Sequence, residues 1–373
     1  MLTKYDRVVN KLFRQGTKRR GIYDLGLTGV RTIVNEGWRS FFNKATRKMK
    51  LWVKSIVSRR RDSLRTLLTL RLPLAVFFGV GSDRLCPCCG CRGVTFRTPV
   101  MRIQRNYFGC CNCFYYRTEP IPSPEQLSKY YAEDYDYMTY EHSNEEIVLR
   151  AHDVLQWLDR VGFSKLPKRV LEIGPAGGGI IAGLAQFGCE VIGIDISESV
   201  RDGLHERFGI NVLVSEDPKE AMALIPDKRF DLIIVDHVLE HLIDPFATLS
   251  TISRLLTEDG YCFIKVPNAF GLEAVLQGNQ WVWLDPLGHI HNWSPRSMRK
   301  AVIRAGLEPV LDGTLQGRPL LRNISNKKGF VNCIVRTLYS PRWLDSFVTR
   351  SKLGCNYHLI VKRGSKLYAY YQS

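Results

Sequence analysis

Between residues 168 and 267 the chain alternates short, almost wholly apolar runs with stretches of helical period. The runs are RVLEI (169–173), EVIGIDI (190–196), INVLV (210–214), FDLIIVD (230–236) and GYCFIKVP (260–267). GGIIAGLAQFG, SESVRDGLHERFG and PFATLSTISRLL separate them and read as helices. Strands that are apolar on both faces belong inside a parallel sheet covered by helices on each side. The pattern therefore predicts an α/β, doubly wound sheet. GLEPVLDGTL (306–315) and CNYHLIVKR (355–363) add a sixth and a seventh strand.

Upstream, Ile147, Ala151, Val154, Leu155 and Leu158 recur at helical spacing and predict a helix over Glu145–Val161 that covers one side of the sheet. FYYR (114–117) reads as a strand, and Ser123-Pro124 as a helix start. A second amphipathic helix is predicted over Trp38–Val57, with Trp38, Phe41, Phe42, Ala45, Met49, Trp52, Val53 and Ile56 on one face. The expected organisation is a helical arm (1–80), a small cysteine-rich unit (81–120), a helical connector (121–165) and the α/β domain (166–373).

Charge changes the picture at the N-terminus. The net charge is +17 over 373 residues, yet residues 1–80 hold 19 Lys+Arg against 4 Asp+Glu, so the arm is strongly basic and the body nearly neutral. A basic amphipathic helix with tryptophans suits an anionic membrane surface, where each basic residue contributes about 1 kcal/mol. Nucleic-acid phosphates would attract the same charge, but a continuous apolar stripe suits them less well. No apolar run is long and unbroken enough to span a bilayer, since Leu67–Gly81 carries Arg71 and Pro73. The expectation is a cytoplasmic protein with reduced thiols, able to lie against the inner face of a membrane.

Seven of the 11 cysteines fall between Cys86 and Cys113, in CPCCGC…CCNC. Cys86 with Cys89, and Cys110 with Cys113, form two C-x2-C pairs whose spacing suits a closed tetrahedral site of four thiolates, with Zn2+ as the metal. Cys88 with Cys91 is an alternative register. The glycine after Cys89 favours the first.

The stretch VLEIGPAGGG (170–179) ends the first apolar run at an acid, Glu172, and turns through Gly174, Ala176 and Gly178 into a helix. Such a loop lets a ligand approach the backbone. Asp195 ends the second strand, placed to accept ribose hydroxyls. A carboxylate just before the loop repels a pyrophosphate and favours a cationic ligand.

LEIGPAGGG, GIDIS, FDLIIVDHVLEHLIDP and LLTEDGYCFIKVPN together resemble the motif series of class I S-adenosylmethionine (SAM)-dependent methyltransferases, over about residues 166–270. CPxCG…CxxC, EQLSKYY and GHIHNWSP resemble, more narrowly, a bacterial subfamily that joins a zinc ribbon to this domain and works in sugar or polysaccharide biosynthesis. The resemblance implies a seven-stranded Rossmann-like methyltransferase sheet behind a zinc ribbon. It implies that Glu172, Gly174, Ala176 and Gly178 form the SAM loop, with Ala176 departing from the usual glycine. It also implies that Asp195 binds the ribose, Glu216 lies by the adenine, and Asp236 and His237 line the cofactor. His237, Glu240 and His241 also spell H-x-x-E-H, a zinc-protease signature, but their place after a buried strand speaks for cofactor contacts. In some related O-methyltransferases an acidic-histidine cluster here holds a divalent cation.

His289, in GHIHNWSP, matches the subfamily's histidine. A near-neutral imidazole there would take a hydroxyl proton as the O–CH3 bond forms. Trp281, Trp283 and Asp285 would wall the acceptor. The expected activity is methyl transfer to a sugar hydroxyl on a nucleotide-linked, lipid-linked or polysaccharide acceptor. The alternatives are RNA methylation, C-methylation of a keto-sugar, and a non-catalytic membrane-docked scaffold.

Overall fold

The computed structural model describes residues 79–100, 103–133, 142–225, 229–278, 281–315 and 351–364. The predicted Trp38–Val57 helix, and with it the membrane arm, lies outside the described residues. Among the described residues no helix is long and apolar enough to cross a membrane.

Four strands come first: β1 (Val80–Leu85), β2 (Arg92–Val100), β3 (Ile103–Gly109) and β4 (Tyr116–Glu119). They pair as an antiparallel meander. Helices α1 (Pro124–Glu133) and α2 (Asn144–Asp159) follow. Ser123 and Gln126 cap the start of α1 by exchanging hydrogen bonds, Ser123 N–H to Oε1 at 2.9 Å and Gln126 N–H to Oγ at 3.3 Å. Ser143 and Glu146 form a capping box on α2, a device worth about 1 kcal/mol. α2 begins one residue before its predicted start and buries Ile147, Ala151, Val154 and Leu158 as the periodicity requires.

The large sheet holds β5 (Arg169–Ile173), β6 (Glu190–Asp195), β7 (Asn211–Val214), β8 (Phe230–Asp236), β9 (Leu256–Pro267), β11 (Leu307–Leu315) and β12 (Asn356–Arg363). Their order across the sheet is β11-β12-β9-β8-β5-β6-β7. The seven strands match the expectation, with one correction to a wholly parallel sheet. β12 runs antiparallel to both β9 and β11. A strand buried on both faces shows the same apolar run in either direction, so the sequence does not reveal this.

The helices are α3 (Ile181–Gln186), α4 (Glu198–Phe208), α5 (Pro218–Ala223), α6 (Pro245–Leu255), α7 (Leu272–Gln277) and α8 (Pro295–Arg304). α3 is shorter than its predicted stretch because Gly177–Gly179 are spent on the turn before it. One short strand, β10 (His291–Asn292), leaves the α/β domain and pairs with β4, so it becomes the fifth strand of the ribbon sheet. The two units also share a core: Cys86, Phe108, Cys110 and Tyr115 pack in one cluster with Met298, Val302 and Leu239.

Candidate functional site

β5, β6 and β8 end side by side, and the loops after them, with those after β7 and before α6, enclose a cavity of about 390 Å³. That size suits a nucleoside-sized ligand. The position is the one a doubly wound sheet reserves for ligands, beyond the carboxyl ends of its strands.

Gly174, Ala176, Asp195, Glu216, Asp236 and His237, which the resemblance assigns to the cofactor, line this cavity. Glu172 is 3% exposed at the end of β5, and Gly178 turns behind the lining. Gly174 has φ +69°, and a Cβ there would strike the Val238 side chain, so only glycine fits. Ala176 sits at φ +45°, which costs an L-residue roughly 1–2 kcal/mol. Its N–H donates to Asp195 Oδ2 at 3.3 Å, and Ser197 N–H donates to Oδ1 at 3.0 Å. These bonds aim the Asp195 carboxylate across the loop. Burial nevertheless raises its pKa.

Glu172 has the largest perturbation in the loop. Burial first, then the Asp236 charge, pushes its carboxyl up to about 8, against a hydrogen bond from the Ile181 N–H and the charge of Arg150. Its Oε2 is buried without a hydrogen-bond partner. Asp236, across from it, is held below the usual range. Burial opposes ionisation there, but Lys265, 3.0 Å away, and His237 outweigh it.

Several lining residues went unread in the sequence. Ser215, Asp217 and Lys219 line the cavity beside Glu216, and Pro124, Leu127 and Tyr131 of α1 close it from the connector side. Asp217 caps α5 through Lys219 N–H at 2.9 Å, and an Asp-Pro pair was the available signal.

His237 lines the cavity and also makes contacts outside it. It adopts φ +57°, a strained conformation for a histidine, and its Nδ1 lies 3.1 Å from Glu240 Oε1. Glu240 is 1% exposed. Burial opposes its charge, but the hydrogen bond from His237 and the neighbouring imidazoles hold its carboxyl down at about 2. The indole of Trp283 stacks on both His237 and His289, at 5.5 Å and 5.6 Å between centroids. Trp283 is 37% exposed, whereas Trp281 is buried away in the ribbon interface. Asp285 accepts from Tyr130 O–H at 2.5 Å.

His289 is 9% exposed and does not line the cavity. Its ring meets His241 edge-on at 4.6 Å. Burial, with the charges of His241 and His237, pulls its pKa down to about 4, away from the near-neutral value expected of it. Donor atoms of Glu240, His241 and His289 lie within 4.8 Å of one another. One ionised carboxylate and two imidazoles can hold a divalent transition metal.

In the ribbon, Cys86, Cys89, Cys110 and Cys113 bring their sulfurs within 4.8 Å of each other. Cys86 lies 3.5 Å from Cys113, and Cys89 lies 3.5 Å from Cys110. Each pair sits on a tight turn: Gly90 N–H donates to Cys86 O, and Phe114 N–H to Cys110 O, both at 2.8 Å. This is the first of the two registers. Cys91 and Cys111 are exposed, and Cys88 is buried beside the quartet. Four sulfurs at such distances fit a tetrahedral thiolate site.

Residues 142–311 match the family described as "Methyltransferase domain". The chain is similar to a ubiquinone biosynthesis O-methyltransferase of Cereibacter sphaeroides, 33% identical over 38% of this chain and 61% of that protein. A Bordetella avium protein of the same name is 29% identical over 42% of this chain and 68% of its own length. The chain thus spans less than two thirds of the first relative. A SAM-dependent methyltransferase structure from Archaeoglobus fulgidus aligns with 57% of this chain and 94% of its own, at 24% identity and a TM-score of 0.42.

Proposed function

We propose that this protein is a SAM-dependent O-methyltransferase acting on a ring hydroxyl. The observation that carries the reading is Glu172, a buried and partly unpartnered acid two residues before Gly174, which lines the cavity together with the ribose-type carboxylate of Asp195. A pyrophosphate would be repelled there, whereas a sulfonium or ammonium group would be held. In this reading Asp195 accepts the ribose hydroxyls, Glu216 and Lys219 flank the adenine, and Glu172 faces the methionine ammonium.

SAM supplies an activated methyl group. The protein has to align the acceptor, exclude water and remove one proton. With SAM bound, the acceptor hydroxyl would have to be aligned on the methyl group and its proton taken up by a protein side chain. Glu240 orients His237 by accepting from Nδ1–H, which leaves Nε2 as the proton acceptor. His289, expected as the base, stands behind Trp283 and serves in this reading to hold the tryptophan and His241. The Glu240–His241–His289 cluster favours a second route. A divalent cation there would polarise the acceptor hydroxyl, and rescue of a chelated enzyme by added metal would identify it.

Trp283 offers a flat wall to the acceptor. Sugars and phenols both stack on such a wall. The ribbon resemblance favours a sugar, and the relatives named for ubiquinone biosynthesis favour a phenol. Zn2+ at the four ribbon cysteines is proposed as a structural ion. Calorimetry with SAM tests the cofactor, and absence of binding would sink the enzyme reading. Release of S-adenosylhomocysteine with a catechol carboxylate or with a nucleotide sugar separates the two acceptors. Turnover only with RNA would replace both.

A further inference from the structure

The ribbon and the histidine cluster are joined by a short chain of buried contacts. Two residues past Cys113, Tyr115 is wholly buried. Its hydroxyl lies 2.6 Å from His291 Nδ1. His291 is 2% exposed, and its backbone N–H donates to Glu240 O at 3.0 Å. Glu240 in turn holds His237.

Other bonds fasten the same loop to the ribbon. Ser294 Oγ donates to the carbonyl of Cys113 at 2.7 Å, while Ser294 also caps α8. Thr118 N–H donates to Ile290 O, and Thr118 Oγ1 to Pro286 O, both at 3.0 Å. Arg296 Nη2 donates to Asn112 Oδ1 at 3.0 Å. By contrast, no described ribbon residue lines the cofactor cavity.

We infer that the four-cysteine ribbon is a brace for the acceptor side of the site, with Tyr115 as a positioning residue that transmits the knuckle's geometry through His291 to Glu240 and His237. Metal in the ribbon then governs the histidine side of the cavity and leaves the cofactor side alone. Functional meaning for this brace rests on the methyltransferase reading above. The contacts themselves do not.

The test uses the full chain in three forms: Zn2+-loaded, chelator-stripped and Zn2+-loaded Tyr115→Phe, which keeps the ring and removes one hydroxyl. Hydrogen exchange is followed at the amides of 290–294 and, as a control, at β5 and β8. SAM affinity is measured in parallel by calorimetry. The expected result is exchange at 290–294 faster by about tenfold in both altered forms, with β5 and β8 unchanged and SAM affinity within about twofold. Three outcomes overturn the inference: unchanged exchange in both forms, faster exchange in the stripped form alone, or faster exchange spread through β5 and β8. Failure of the Zn2+-loaded wild type to bind SAM would count against the enzyme reading and leave the exchange result standing.

Discussion

Replacement of Glu172 by glutamine isolates the feature on which the cofactor assignment rests. The Glu172 carboxyl is raised to about 8, by burial first and the Asp236 charge second. At pH 7 roughly nine tenths of the free protein then holds it protonated, and at pH 9 roughly one tenth. A cationic ligand selects the ionised form. Affinity through this group should therefore rise about tenfold from pH 7 to pH 9, with close to one proton released per ligand bound at pH 7. The α-amino group of SAM titrates near 7.7–8.0 and pulls the other way. That contribution is common to wild type and Glu172→Gln, so the ratio of their affinities cancels it. Calorimetry in two buffers of different ionisation enthalpy reads the affinity and the proton count together. A wild-type to Glu172→Gln ratio that stays flat between pH 7 and pH 9 would refute the reasoning.

The same shift fixes a stability profile of definite sign. The folded pKa lies above the unfolded value of about 4.3, so the folded state holds an extra proton between them. Stability contributed by this group is complete below that window and is lost as pH climbs through it to 8. At one pKa unit per 1.36 kcal/mol, the loss approaches roughly 5 kcal/mol at pH 9, an upper bound. Glu172→Gln should thus melt well above wild type at pH 9 and close to it at pH 5. Equal melting differences at the two pH values would show that the acid is not protonated in the apo protein.

Other substitutions probe the remaining parts. His237→Ala is expected to lower turnover by about 10²–10⁴ with SAM affinity little changed, checked by S-adenosylhomocysteine release and calorimetry. Gly174→Ala places a methyl group against Val238 at a positive φ, so SAM binding should be lost and melting should fall by several degrees. Cys110→Ser should lose the ribbon metal, whereas Cys111→Ser, at an exposed cysteine, should keep one equivalent by elemental analysis.

How far the sequence speaks for the structure depends on periodicity. β5, β6 and β8 were legible as apolar runs with an acid at or near the end, and Glu172, Asp195 and Asp236 came with them. The ribbon register was legible because C-x2-C is a turn geometry as well as a spacing. β10 was not legible, since two residues carry no pattern. Its pairing with β4 and the Tyr115–His291 bond join positions far apart in the chain. The inserted, antiparallel β12 was hidden for the reason that made it recognisable as a strand: both its faces are apolar.

Three residues named from the sequence share one physical character that the sequence does not show. Ala176 and His237 both take positive φ without being glycine, on the loops after β5 and β8. Such conformations cost of order 1–3 kcal/mol each and persist only where the surroundings enforce them. Ala176 uses its conformation to bring its N–H to Asp195, and His237 uses its own to meet Glu240. Glu172, buried next to the lining residue Ile173, adds a third unfavourable feature, an acid with an unpartnered oxygen. Local rules of propensity and burial are broken three times around one 390 Å³ space. A ligand that donates hydroxyl groups to the Asp195 carboxylate and supplies a cation to Glu172 would relieve part of that cost on binding. The departures from local sequence rules therefore mark the site more sharply than the glycine-rich loop does.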